Sequence, residues 1–336
     1  MAVGILMGKL PLGISDFLGR LEYAQVSIPI AILIWLMVYP MMLKVDFQSI
    51  RNVSNNPKGL YVTWITNWLI KPFTMFGVAS LFFYVFFKNI IPADLARDYL
   101  AGAVLLGAAP CTAMVFVWSY LAKGRPAYTV VQVATNDLII LIAFVPIVKF
   151  LLGISDIAVP WDTLFLSVIL YVAIPLTAGM LTRAFVIKKN GEEYFKNKFL
   201  PKFNGTTIIG LLLTLIIIFS FQGDVILDNP LHIALIAVPL TIQTFFIFGI
   251  AYYASKMLRL THDIAAPAGL IGASNFFELS VAVAIALFGT SSPVVLATIV
   301  GVLIEVPAML TLVRIANKTR GWFPANTGEI NQPTGY

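Results

Sequence analysis

Nine long apolar segments dominate the chain, near 26–43, 59–87, 99–121, 127–152, 162–182, 205–222, 230–254, 264–289 and 293–315. Crossing a bilayer as a helix takes about 20 mainly apolar residues. In lipid a backbone must satisfy its own hydrogen bonds, so segments of this length and polarity predict membrane helices and little else. Composition agrees where it bears on this. Only 11% of residues are charged, and the mean hydropathy is +0.90. A water-soluble domain carries about 25% charged residues.

Residues 1–8 (MAVGILMG) are apolar but short, and read as the tail of a first span. The prediction is therefore an all-α membrane protein of ten transmembrane helices, the first truncated here. No cleavable signal peptide fits the N-terminus. Residues 316–336 are polar and are expected to form a disordered cytoplasmic tail. Lys and Arg set the orientation. The connections 44–58, 122–126, 183–203 and 255–263, with the tail and Arg314, hold sixteen basic residues, and the opposite set holds four. Positive loops stay inside, so the C-terminus is expected in the cytoplasm. The basic residues are spread over short loops, which gives no reason to expect nucleic acid as a partner. The surrounding partner is membrane lipid.

A faint internal echo points to the architecture. Gly107 and Gly124 lie 17 apart around the fourth span, and Gly272 and Gly289 lie 17 apart around the ninth. Each block runs into a proline, Pro126 and Pro293, and each opens on small residues, GAAPCT and GASNFF. A five-span unit is odd, so its second copy must be inverted. That arrangement places solute near the midplane, where helices are broken. The expected repeats are 1–161 and 162–315, with spans 4 and 9 as the broken, crossing helices.

Several residues do not belong in lipid. Pro110 interrupts span 4 and frees the carbonyl of Leu106. Beside it lies Cys111, the chain's one cysteine, which rules out an internal disulfide. Span 9 carries Ser274, Asn275 and Glu278, which helical spacing would bring onto one face. The small Gly272 and Ala273 favour an unwound stretch there. A carboxylate at this depth costs about 2.5–3.5 kcal/mol on insertion scales and marks a transport path. Glu305 shares a stripe with Thr298, Gly301 and Ala308. Asp137 follows Asn136 in span 5 and could snorkel towards the cytoplasm. Lys71 precedes Pro72, with Asn67 one turn earlier, and could pair with an acid. One lysine cannot neutralise three carboxylates, so at least one of them should be able to take up a proton. Trp118 lies seven residues after Cys111, on the same face of an unbroken helix. His232 and His262 sit at span borders. HExxH, GxSxG and P-loop signatures are missing, so an enzyme or an ATPase is not indicated and no cofactor is expected. Energy must come from an ion gradient, or transport is passive.

The segments GAAPCTAMVFVWSYLAKGRPAYTVVQVATNDLI, GLIGASNFFELSVAVAIALFG, VGVLIEVPAML and NWLIKPFTMF resemble spans 4–5, 9, 10 and 3 of the arsenite efflux permeases. These form the arsenical-resistance branch of the bile acid:sodium symporter superfamily. The resemblance implies export of arsenite, and in some members antimonite, across the plasma membrane in exchange for protons. It also implies an essential cysteine at Cys111, proton-coupling acids at Glu278 and Glu305, and activity-linked positions at Trp118, Asn136 and Ser274. Asn275 would line the same cavity, and Asp137 is a further candidate acid. Some members carry an arginine where this chain has Pro110, so that role does not carry over. Chemistry agrees, because trivalent arsenic is soft and takes sulfur. A single thiol with oxygen ligands makes a site that can release its solute. Two alternatives are a sodium-coupled organic anion symporter of the same superfamily and a passive channel.

Overall fold

The computed structural model describes residues 22–23, 26–43, 57–112, 114–203, 205–221, 223, 230–290 and 292–324. The expected first span at 1–8 and the connection 44–56 lie outside the described residues. Apart from a two-rung ladder between Glu22–Tyr23 and Val26–Ser27, the described elements are helical.

Among the described residues, five helices are long and apolar enough to cross a membrane. They are α2 (Lys58–Phe86), α5 (Pro126–Ile154), α6 (Trp161–Asn190), α8 (Pro230–Met257) and α11 (Pro293–Lys318). Shorter helices are α1 (Ile28–Met42) and α7 (Thr206–Phe221). The fourth and ninth apolar segments are each interrupted. They give α3 (Ala93–Gly107) with α4 (Val115–Leu121), and α9 (His262–Ala273) with α10 (Phe277–Phe288).

Two packing groups result. In one, α1 lies against α6 and α7. Trp35 Nε1 donates to the Leu170 carbonyl at 2.7 Å, and the Tyr39 hydroxyl donates to Thr182 at 3.0 Å. In the other, the broken helices sit among α2, α5, α8 and α11. Gly102 lets α3 approach the start of α11 closely: a Cβ there would lie 2.5 Å from the Val294 carbonyl. Small residues that let backbones approach are the usual means of packing helices in lipid.

The expected tail begins later than the sequence implies. Helix α11 runs to Lys318, a turn follows at Arg320–Trp322, and Phe323 packs on Tyr252 and His262. An aromatic ring with an apolar partner surface outweighs the polar composition around it. Residues 325–336 lie outside the described residues.

Helix α2 contains a π-turn over Thr66–Ile70, immediately before Lys71–Pro72. Pro72 has no N–H to give the preceding turn. Side chains brace the turn on either side: Thr74 Oγ1 donates to the Ile70 carbonyl, and Gln243 Nε2 donates to the Lys71 carbonyl. The lysine is thereby held at a local irregularity, facing the broken helices.

Candidate functional site

The candidate site is the place where the two interrupted helices meet. Ala108 to Thr112 and Ser274 to Phe276 lie between helices, and a backbone with no helical partner must find one elsewhere at this depth. Here the two stretches supply each other. Pro110 and Asn275 form an antiparallel bridge. The Cys111 N–H donates to the Ser274 carbonyl at 3.4 Å, and the Phe276 N–H donates to the Ala109 carbonyl at 3.0 Å. Pro110 fits because this position has no N–H to satisfy. The Ser280 hydroxyl ties α10 to α3 by donating to the Leu105 carbonyl at 2.9 Å.

Four chemically active side chains converge on the crossing, all of them buried. Lys71 Nζ donates to the Ser274 carbonyl at 2.6 Å. The Ser274 hydroxyl donates to Glu305, and the backbone of Asn275 lies in hydrogen-bond range of the same carboxylate. Cys111 has Ser274 and the backbone of Val115 in hydrogen-bond range of its sulfur. Lys71 interacts electrostatically with Glu305 and Cys111, and Glu278 with Glu305 and Cys111. Ser274 is the hub: its carbonyl binds the ammonium and its hydroxyl binds the acid.

Glu278 opens α10, with its N–H groups unshared in the first turn. Neither carboxylate oxygen has a partner beyond its own residue. The second oxygen of Glu305, the side-chain oxygen of Asn275 and the Thr112 hydroxyl are likewise unpartnered. Each buried polar atom left so costs about 1–3 kcal/mol.

Four expectations need correction. Ser274, Asn275 and Glu278 do not share a helical face, because the chain is extended at Ser274 (ψ 146°) and helical again only from Phe277. Ser274 therefore holds Glu305, not Glu278. Trp118 does not lie on a common helical face with Cys111, since the helix is interrupted between them; it packs with Leu60 and Tyr128 instead. Asp137 does not snorkel. It is fully buried at 0% exposure, and neither carboxylate oxygen has a hydrogen-bond partner among the described residues. It stands apart from the four groups at the crossing. Lys71 does not make a direct ion pair among the described residues; it caps a broken-helix carbonyl.

Asn136 lies off the crossing. Its side-chain oxygen accepts from Trp68 Nε1 at 2.9 Å and from Asn67 Nδ2 at 3.3 Å. Gln243, which braces the Lys71 turn, was not singled out by sequence reasoning. The signal was present, as a lone amide inside the apolar segment 230–254.

Broken helices crossing inside a bundle of membrane-length helices, with buried ionisable groups at the break, define a solute transporter of the crossing-helix type. Comparison with known proteins agrees. The model of the sodium bile acid symporter family matches residues 31–229. The arsenical-resistance protein Acr3 of Alkaliphilus metalliredigens is 66% identical over 96% of this chain and 90% of that protein. An uncharacterized transporter of Synechocystis is 47% identical over 96% of this chain and 87% of its own length. Acr3 of Corynebacterium glutamicum is 34% identical over 93% of this chain and 84% of that protein. The chain belongs to the sodium bile acid symporter family, in its arsenical-resistance branch.

Proposed function

We propose that this protein exports arsenite across the plasma membrane in exchange for protons, conferring arsenic resistance, and that antimonite is a second substrate. The observation that carries the reading is the meeting of the chain's one thiol with two carboxylates at the helix crossing. The 66% identity to an arsenical-resistance protein supports it. Arsenious acid is neutral and carries three hydroxyl groups on a soft centre. Sulfur from Cys111 supplies the soft ligand. Asn275, Thr112 and Glu278 offer the unpartnered oxygens that its hydroxyls need.

A neutral solute gains nothing from the membrane potential. An inward proton supplies about 2.3 kcal/mol per 100 mV. In this reading Glu278 carries the proton. Protonated, it has no charge to offer the solute; ionised, it accepts a hydrogen bond from an arsenite hydroxyl. Solute and proton then compete for one group, which exchange requires. Glu305, held by Ser274, tunes the site, and Lys71 keeps the crossing closed up by binding the Ser274 carbonyl. Asp137, Asn136 and Trp118 are secondary positions along the path.

The architecture proposed is ten spans in two inverted repeats, 1–161 and 162–315, with the C-terminus in the cytoplasm. Supporting it, both α3–α4–α5 and α9–α10–α11 follow the order helix, break, helix, proline-started helix. A sodium-coupled anion symporter is the second reading, favoured by the name of the matching family. The deciding experiment is arsenite uptake into everted vesicles under an imposed pH gradient. Uptake that follows the gradient with sodium absent supports proton exchange. Uptake that requires sodium overturns it.

A further inference from the structure

Outside the crossing, the buried polar groups are not scattered. Helix α2 presents Thr63, Asn67 and Lys71 at intervals of four, and α5 presents Gln132 and Asn136 at the same interval. The structure sets them side by side. Gln132 Nε2 donates to Thr63 Oγ1 at 3.0 Å, and Asn67 Nδ2 donates to Asn136 Oδ1 at 3.3 Å. One turn further out, the Tyr128 hydroxyl lies against Gly59, whose missing side chain makes room for it: a Cβ there would be 2.1 Å from that oxygen. The upper end of this column is Lys71, bonded to the Ser274 carbonyl. Its lower end is where α2 starts at Lys58 and α5 follows Arg125, beside the Arg125–Asp263 ion pair. The column thus joins the basic end of the molecule to the crossing.

The column is also incompletely satisfied. Asn67 Oδ1 and Gln132 Oε1 have no hydrogen-bond partner among the described residues, although both residues are 0% exposed. A purely structural polar zipper closes its hydrogen bonds, because an open acceptor at this depth is a standing cost. Beyond the crossing the same helix changes character. Ile140, Phe144, Val145 and Val148 of α5 are buried in an apolar cluster. Along α5, a polar lining with free acceptors before the crossing and an apolar one beyond it is what a water-accessible half-channel requires, and the spacing of one group per turn lets a hydroxylated solute pass from one amide to the next.

We propose that the α2–α5 polar column, Thr63 and Asn67 facing Gln132 and Asn136, lines the cytoplasmic branch of the transport route. Through it a neutral hydroxylated solute reaches the crossing; this rests on the export reading above for the direction of travel. The helices part along the column when the site opens inward, and the amides take the place of the solute's lost water.

The test uses thiol accessibility in the full-length protein. In a Cys111→Ser background, Gln132→Cys, Thr63→Cys and Val145→Cys are placed one at a time. Insertion is verified by monodisperse elution in detergent. A small cationic membrane-impermeant methanethiosulfonate is then added to everted or right-side-out vesicles. Gln132→Cys and Thr63→Cys are expected to react at least tenfold faster in everted vesicles than in right-side-out ones, and tenfold faster than Val145→Cys. In a chain that keeps Cys111, Gln132→Leu is expected to lower arsenite export at least tenfold while leaving insertion intact. Column positions no more reactive than Val145→Cys, or labelled faster from the opposite face, overturn the proposal. So does full export by Gln132→Leu. Labelling does not depend on which solute is carried. Cytoplasmic labelling in a protein that moves no arsenite therefore leaves the route standing and removes the substrate reading alone.

Discussion

The group formed by α1, α6 and α7 and the group that contains the broken helices are both buried helical packings, yet they bury different things. In the first, the buried polar side chains described are Ser167, Thr214 and Ser220, and Ser167 and Thr214 bond carbonyls four residues back in their own helices. None of the three is left without a partner: Ser220 bonds the Ile217 carbonyl, and Thr214 also reaches the Met37 sulfur at 3.6 Å. In the second lie Lys71, Asp137, Glu278 and Glu305, all nearly or fully buried, together with a column of amides. Lipid penalises both groups equally for stray polarity. The contrast therefore separates a part whose buried polar groups are paired from a part with unpaired ones, which is where the proposed transport site lies. The seam between them runs along α5 and α10, which also carry Asp137 and Glu278.

The comparison breaks if function can be removed from the first group or left intact when the second is altered. The largest effect is expected at Cys111. Cys111→Ser should lower arsenite export by about 100-fold or more, equivalent to about 2.7 kcal/mol, with unchanged insertion. Vesicle uptake against a blot for membrane-inserted protein reads this, and full resistance in the mutant would remove sulfur from the mechanism.

Next is Glu278→Gln. The carboxylate bonds nothing outside its own residue, so the substitution removes charge without breaking a contact. Proton-driven uphill export should be lost, while exchange of labelled for unlabelled arsenite stays within about threefold of the parent. Normal uphill flux would hand the proton to Glu305 or Asp137.

Glu305→Gln should be milder, about fivefold in rate, because an amide oxygen still accepts from Ser274. Glu305→Ala should be worse, since it strands the Ser274 hydroxyl and leaves Lys71 without its acid. Equal defects in the two would show that charge alone matters there.

Two glycines sharpen the comparison on the side of stability. Gly102→Ala pushes a Cβ against the Val294 backbone carbonyl at 2.5 Å and should cost about 1–3 kcal/mol. Gly210→Ala meets the side chain of Met37 at 2.7 Å, which can turn aside, so its loss should be about 1 kcal/mol or less. Thermal unfolding in detergent ranks the pair. The smallest effect is expected for Ser167→Ala: stability within about 1 kcal/mol and transport unaltered. A transport defect there, with normal stability, would break the division into two groups.

Much was legible beforehand because lipid imposes simple rules. The apolar segment expected at 59–87 is helix over Lys58–Phe86, and that at 127–152 is helix over Pro126–Ile154. Pro110 and the Gly272–Ala273 pair marked where helices stop, because a missing N–H and small side chains are local properties. Cys111, Lys71, Glu278 and Glu305 could be picked out as residues too polar or too reactive for their depth. What spacing could not supply was pairing. A periodicity argument assumed unbroken helices, so it joined Ser274 to Glu278 and Trp118 to Cys111. At each break the chain turns extended, and a side chain's direction then depends on the partner strand.

The sequence by itself determined that this chain belongs in a membrane, which segments are helical, and which residues are too costly to bury idly. Each of these follows from the transfer of a residue or a short run of residues from water to lipid. Tertiary structure alone decided that Ser274 binds both Lys71 and Glu305, that Glu278 is left unpaired, that Asp137 is isolated, and that Gln132 meets Thr63. These are contacts between residues 31 to 203 positions apart, fixed by how two broken helices satisfy each other's backbone, and no local property of the chain encodes them.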